Sequence, residues 1–371
     1  FSASYINVGN KYASTKYGNL NFSFNTYQKL KSVQLTLSEV SGDVNITSCT
    51  FRAALPFEFS NLRFICLFVL LAALLAVITF KLYTAVYNRN SLKHKLIIGS
   101  LILLCALSIF SFYIPDQSNI TYDEQTSMIG KDPYVQMFDA VHNKQLNINI
   151  EPSQELLNLQ NPYDSSLRRS SNVKFAWDRA FYNGKYYSYY GIAPVFVFYY
   201  PFYWITGDLP TLNMASAFFG FLGIIFLCGT ILSFIKRFIK QPNFLLLILF
   251  LIASCFTCGI YFFIDFSSFY TLAGIASTCF LFLCLWCGFE ACNAKSNKKQ
   301  FALFALCGIA FILCFSSRPT KALSALILAP VFLGVLFNKN LKLKSKIYSV
   351  ASFIIPVIIG MSAIMWYNYA R

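Results

Sequence analysis

The sequence predicts an α-helical polytopic membrane protein of about eight transmembrane helices, with a large outer loop and an interfacial helix. Three observations carry that prediction. Of the 371 residues 57% are hydrophobic and only 12% charged, and several apolar runs reach the roughly 20 residues that a helix needs to cross a bilayer. The 30 Lys and Arg, against 15 acids, gather in short segments between those runs, as cytoplasmic loops do. One long stretch, residues 115–207, is polar and rich in acid and tyrosine, yet lies between runs that belong in lipid.

Residues 1–60 alternate short apolar and polar positions, as in Val33-Gln34-Leu35-Thr36-Leu37, and are punctuated by Gly, Asn and Ser. That is the grammar of strands and turns, so a partial β-rich extracytoplasmic segment is expected there. The chain starts at Phe1 and stops at Arg371 straight after an apolar run, so both ends are expected to be cut from a longer protein. Residues 61–114 hold two spans, at about 63–84 and 96–114, joined by a basic loop. Six more lie within 208–371, at about 212–235, 244–264, 268–291, 301–317, 321–337 and 346–367.

The aromatic segment 191–206 decides the sidedness of every later span. The basic clusters are Lys81/Arg89/Lys93/Lys95, Lys236/Arg237/Lys240, Lys295/Lys298/Lys299 and Lys339/Lys342/Lys344/Lys346. If 191–206 does not cross, all four fall on one side, which the positive-inside rule makes cytoplasmic. Pro194 and Pro201 interrupt a straight crossing, and tyrosines with Trp204 form an aromatic belt, so 191–206 is read as an interfacial helix. The expected location is the bacterial cytoplasmic (plasma) membrane, with residues 115–207 facing outside. A formal charge of +15 would point to nucleic acid in a soluble chain; here it reports topology, and the expected surroundings are membrane lipid. Nearly all of the 12 cysteines lie within apolar runs, and the CxxC spacings Cys255/Cys258 and Cys284/Cys287 have no histidine nearby, so they read as small apolar filler.

The outer loops carry the chemistry. Asp123, Glu124, Asp132, Asp139 and Asp178 lie in the long loop, and Asp265 stands in a short turn after a later span. Acids converging from separate loops either hold a divalent cation (Mg or Mn) through oxygen ligands or act as a general base on an acceptor hydroxyl. Asp132 opens a helical pattern running to Asp139, and Asp265 is a lone acid at a span end, where ionisable groups are costly. Arg318, in Ser316-Ser317-Arg318-Pro319-Thr320-Lys321, breaks the inside bias of positive charge: it either binds an anion such as a lipid phosphate or snorkels to the interface. Asp178 with Tyr186 and Tyr187 lies in an aromatic run suited either to sugar stacking or to interfacial anchoring.

These residues resemble a known family. An early span, a large outer loop with the acid-x-Tyr helix Asp132-Pro133-Tyr134, an interfacial Gly191-Ile192-Ala193-Pro194 helix and a second outer acid, Asp265, resemble the GT-C superfamily of polyprenyl-phosphate-sugar-dependent glycosyltransferases, which includes protein mannosyltransferases and aminoarabinose transferases. Asn161-Pro162-Tyr163-Asp164, Trp177-Asp178, Tyr182-Asn183-Gly184-Lys185-Tyr186-Tyr187 and Ser317-Arg318-Pro319-Thr320 look like a narrower group of uncharacterised bacterial multispan proteins. The likeness covers about residues 95–371. It implies a catalytic acid at Asp132, a second at Asp265, a polyprenyl-phosphate-linked sugar donor, and an envelope glycan, lipid or protein as acceptor. Two departures stand out: Pro133 occupies the place of the family's second acid, with Asp123-Glu124 as an alternative pair upstream, and the second loop reads Asp265-Phe266-Ser267 with a single acid. The rival readings are a lipid-linked glycan transporter, which the near absence of charge within the spans disfavours, and a non-catalytic carbohydrate-binding scaffold.

Overall fold

The computed structural model describes residues 60–111, 132–176, 178–266, 268–339 and 341–370. The strand-and-turn reading of residues 1–60 falls, but for Ser60, outside them, as do Asp123, Glu124 and Trp177. The chain divides into two compact units, 1–77 and 78–371. In the first, the described part is most of α1 (Asn61–Thr79); the second unit holds the other spans and the long loop.

The second unit is helical almost throughout. Its elements are α2 (Leu92–Leu107), α3 (Pro133–His142), α4 (Gln154–Leu157), α5 (Ser165–Ser170), the hairpin β1 (Ala180–Tyr182) and β2 (Lys185–Tyr187), α6 (Tyr200–Thr206), α7 (Leu212–Phe238), α8 (Phe244–Thr257), α9 (Ile260–Asp265), α10 (Phe269–Asn293), α11 (Asn297–Ser317), α12 (Pro319–Ala322), α13 (Ala329–Leu336) and α14 (Leu343–Tyr369). The protein is an integral membrane protein: among the described residues eight helical stretches are long and apolar enough to cross a bilayer, namely α1, Leu92–Ser111, α7, Phe244–Asp265, α10, α11, Pro319–Leu336 and α14. Each overlaps one of the apolar segments anticipated from sequence.

Short polar residues start the spans. Thr211, Asn243, Ser268 and Ser296 each place a side-chain oxygen on a backbone N–H of the first turn, satisfying donors that a membrane offers no water to meet. Two spans are broken internally. Gly259, at φ 84°, ends α8 and restarts the chain as α9, a left-handed conformation that glycine adopts without strain. Between Pro319 and Leu336 a 3₁₀ stretch, Leu323–Leu328, joins α12 to α13.

Helix α10 is the centre of the unit. It is the most buried span and packs along α7 on one side and α11 on the other, while α11 packs in turn on α14. Small residues allow the closest approaches, as is general among helices in lipid: a Cβ added at Gly308 of α11 would stand 2.4 Å from the Phe353 carbonyl oxygen of α14.

One end of the unit gathers the basic residues. The segment before α2 is fastened to the α7–α8 turn by Tyr87 N–H donating to the Pro242 carbonyl at 2.9 Å and Phe244 N–H donating to the Ala85 carbonyl at 2.8 Å. Arg89 donates to the carbonyls of Ile235, Lys236 and Ile239 at 2.9, 3.0 and 3.2 Å, closing the last turn of α7. Helix α2 therefore begins where α7 ends and runs back along it, and Ile109 reaches Gly220 near the start of α7. The chain leaves α2 and enters α7 at the same end. Residues 191–206 accordingly form a wide π turn, Val195–Tyr199, continued by α6, and are not among the spans.

Gly308→Ala should lower thermal stability in detergent by roughly 1–3 kcal/mol through overpacking against backbone. Gly334→Ala, with open space around its Cβ position, should be neutral or stabilising by about 0.5–1 kcal/mol. Equal effects of the two would contradict the α11–α14 contact.

Candidate functional site

Opposite the basic end, the long loop folds onto the tips of α10 and α11. Asp132 caps α3: its Oδ1 accepts the Tyr134 N–H at 2.8 Å, and Pro133 at the first helical position needs no donor there. The helix buries Tyr134, Met137 and Phe138. Tyr134 stacks on Tyr199 of the π turn, ring centroids 6.0 Å apart, and meets Tyr190 at 6.1 Å. Tyr190 in turn stands edge-on to Phe269 and Tyr270, the first two residues of α10, at 5.4 and 5.8 Å. These ring contacts seat α3 against the bundle.

A second clamp is made by backbone alone. At Gly191 a Cβ would meet the Ser316 carbonyl oxygen at 2.1 Å and Ser317 Cα at 2.4 Å. Only glycine permits this approach, and it fixes the loop beside the turn that carries Arg318. Arg318 is exposed, and its guanidinium Nη1 packs over Gly274 of α10.

A third part of the site comes from 178–190. Arg179 is buried, its Nε donating to Gln136 Oε1 at 2.7 Å and one Nη to the Asp178 carbonyl at 3.2 Å. Asp178 adopts φ 55°, uncommon for a residue with a side chain, and its Oδ1 accepts the Tyr189 hydroxyl at 3.1 Å. Tyr189 and Tyr190 share a hydroxyl contact at 3.2 Å.

The electrostatics centre on Asp132. Burial pushes its carboxyl up to about 6, against the opposing pull of the Tyr134 N–H, the Arg179 charge and the Tyr199 hydroxyl. The Tyr199 hydroxyl faces the carboxyl but falls short of hydrogen-bond geometry. Burial raises the hydroxyls of Tyr134 and Tyr199, and the Asp132 charge raises them further, while the Arg318 guanidinium partly offsets this at Tyr134. Asp132, Tyr134, Tyr199, Arg179 and Arg318 thus share one field. Among the described residues the Tyr134 and Tyr199 hydroxyls and Asp178 Oδ2 are buried without a hydrogen-bond partner, whereas buried polar atoms are nearly always paired.

Of the residues anticipated from sequence, Asp132, Asp178 and Arg318 are drawn into this neighbourhood. Asp139 lies two turns along α3, half-buried. Asp265 is exposed at the end of α9, and its carboxylate makes no hydrogen bond or ion pair among the described residues. Tyr186 belongs to a separate small core with Ile148, Leu156, Val173 and Ala176, where its hydroxyl accepts the Ala176 N–H at 3.1 Å; in that position it packs the loop. Tyr187 is buried next to it. Sequence places Tyr189, Tyr190 and Tyr199 in the interfacial aromatic belt, while Gln136 and a role for Arg179 are not singled out by it. Gln136 had a signal, since it stands one helical turn after Asp132, and Arg179 had one in its adjacency to Asp178.

Among the described residues no three His, Cys, Asp or Glu cluster together, and the charged group acting on Asp132 is the Arg179 guanidinium. Comparison with protein-family models, with curated proteins and with solved structures finds no match to this chain.

Asp132→Asn keeps the cap, because Asn caps as well as Asp, and removes a carboxyl whose folded state favours the proton. A raised carboxyl pKa contributes stability below about pH 4 that is lost as pH rises through about 6. The variant should therefore be more stable than the parent at pH 8, by roughly 1–3 kcal/mol, with the gap closing below pH 4. Thermal melts at both pH values check this; a destabilised variant at pH 8 would show that the carboxyl is not desolvated. Gly191→Ala should lower the melting temperature and alter the near-ultraviolet tyrosine signal, because the loop must lift from Ser316 and Ser317. An unchanged spectrum counts against that clamp.

Proposed function

We propose that the protein is a membrane glycosyltransferase of the GT-C kind, which moves a sugar from a polyprenyl-phosphate donor to an acceptor on the extracytoplasmic face of a bacterial cytoplasmic membrane. The observation that carries this reading is the half-buried Asp132 carboxyl, pushed up to about 6 by desolvation, next to Tyr134, on which the exposed Arg318 guanidinium also acts at the tips of lipid-spanning helices. A base with that pKa is ionised about tenfold over its acid at pH 7 and still able to take a proton. The likeness to GT-C enzymes in the acid-x-Tyr helix, the interfacial helix and the second outer acid Asp265 adds to it. The positive-inside rule supplies the orientation, since the basic clusters gather at the end away from Asp132.

In this reaction the acceptor O–H attacks the anomeric carbon from the face opposite the phosphate. The bond from that carbon to the phosphate oxygen breaks, its electron pair leaves on the polyprenyl phosphate, and the acceptor proton passes to Asp132. The anomeric configuration inverts. Arg318 meets the growing charge on the phosphate, as preorganised cations do for departing oxyanions. The sugar hydroxyls complete the orphaned polar atoms of Tyr134, Tyr199 and Asp178, and the exposed Tyr189 ring offers stacking surface. Asp265 stands at the rim and positions the acceptor.

The test is a transfer assay in lipid with a panel of labelled polyprenyl-phosphate sugars. Label should leave the carrier lipid with a rate that rises through about pH 6, where Asp132 loses its proton and becomes a base. Asp132→Asn should lower the rate roughly 100-fold or more, and Arg318→Ala roughly 100-fold. Full activity in folded Asp132→Asn would remove Asp132 from the mechanism, and no turnover with any carrier would return the site to a binding role.

A further inference from the structure

The basic end holds a second constellation, about 32 Å from the first along α10, given 21 residues from Phe269 to Glu290 at 1.5 Å each. There α7, α10 and α11 enclose an open crevice of about 580 Å³. Its walls repeat one pattern on three helices. Leu232 lies one turn before Lys236 on α7, Trp286 one turn before Glu290 on α10, and Leu303 one turn after Lys299 on α11, all lining the crevice. Because α11 runs opposite to α7 and α10, each pair puts its charge at the rim and its apolar side chain deeper. The crevice is therefore apolar inside and charged at its mouth, and it lies on spans.

The charges at the mouth do not balance. Arg89, Lys236 and Lys299 face one acid, Glu290. Glu290 is already held, by Lys236 Nζ at 3.1 Å and by the Ser233 hydroxyl at 2.8 Å. Arg89 spends its donors on the α7 carbonyls but keeps its charge. The ammonium of Lys299 is exposed and makes no hydrogen bond or ion pair among the described residues. Lys299 also sits in the first turn of α11, where the helix dipole favours an anion.

We infer that this crevice binds an anionic phospholipid, with its phosphate at Lys299 and Lys236 and one acyl chain laid along Trp286 and Leu303. The charge complementarity selects an anion, and the apolar depth on membrane-spanning helices selects an acyl chain over a soluble phosphate. Basic groups at this level of a membrane protein gain about 1 kcal/mol each from anionic headgroups.

The test uses the full chain purified in detergent and titrated with phosphatidylglycerol or with phosphatidylcholine of the same acyl chains, the bound lipid being counted by native mass spectrometry. Glycerol 1-phosphate serves as the soluble competitor. Phosphatidylglycerol should bind more tightly than phosphatidylcholine, and Lys299→Gln should weaken it roughly fivefold, the worth of one such lysine. Leu303→Trp, which fills the crevice, should reduce binding while leaving Lys299 in place. Lys299 is exposed, so its variant is expected to fold. Equal affinity for the two lipids, or no effect of Lys299→Gln, would overturn the proposal. Displacement by glycerol 1-phosphate at matched concentration would overturn it too, by showing a site for soluble anions. The outcome is independent of the transfer assay, because neither variant touches the Asp132 neighbourhood.

Discussion

The burial of α10 between α7 and α11 is the contact on which the rest of the structure depends. In lipid there is little hydrophobic gain in bringing two apolar helices together, so the association rests on close packing. Small residues on these helices let side chains and backbones approach, as at Gly229 of α7 against the Trp286 ring of α10. Once α10 is fixed, its two ends fix the polar chemistry. Phe269 and Tyr270 at one end meet Tyr190, and Glu290 at the other takes Lys236.

The long loop has little core of its own and borrows rigidity from the bundle. Its independent part is the small cluster around Tyr186. The rest of its described residues are held on the bundle by ring contacts, to α10 through Tyr190 and to α7 through Phe198, and by the Gly191 backbone lying on Ser316 and Ser317. That arrangement has an electrostatic consequence. Seating α3 on the bundle excludes water from Asp132, and desolvation raises a carboxyl pKa. The Tyr134 N–H and, after it, the Arg179 charge counter the rise, so the acid stops at about 6. Arg179 is itself oriented by Gln136, one turn along the same helix that Asp132 caps. The acid and the group that moderates it are thereby positioned by one element.

The spans were readable in the sequence because lipid imposes one solution, a helix with about 20 apolar residues. Asp132 and its helix were readable for a local reason: an Asp before Pro is a cap signal. What escaped was non-local. Nothing in the composition of Tyr186 distinguishes it from Tyr190, yet the first supports the loop core and the second bridges α3 to α10. That difference arises from the fold of the hairpin β1–β2. Likewise Gly191 is one of 17 glycines, and its role appears only when Ser316 and Ser317 arrive from a segment more than 120 residues later. Asp265 is the converse case. A lone acid at a span end is conspicuous in sequence and lies exposed at the end of α9, whereas Asp132 is conspicuous only through what covers it.

The two polar constellations are related by the thickness of the membrane. Phe269 and Glu290 stand about 32 Å apart on α10, close to the roughly 30 Å of hydrocarbon in a bilayer. Each constellation therefore lies at headgroup depth, one in each leaflet. At that depth the abundant polar chemistry is phosphate, and each end offers an exposed cation: Arg318, whose charge reaches Tyr134, and Lys299, which lines the same crevice as Glu290. The difference lies in the acid that accompanies each cation. Glu290 is bound by Lys236 and Ser233, so its charge is committed. Asp132 has a backbone N–H and two neighbouring tyrosyl hydroxyls that are not hydrogen-bonded, so its carboxyl retains the capacity to exchange a proton. A committed acid suits retention of a lipid, and an uncommitted one suits turnover of a lipid-linked substrate.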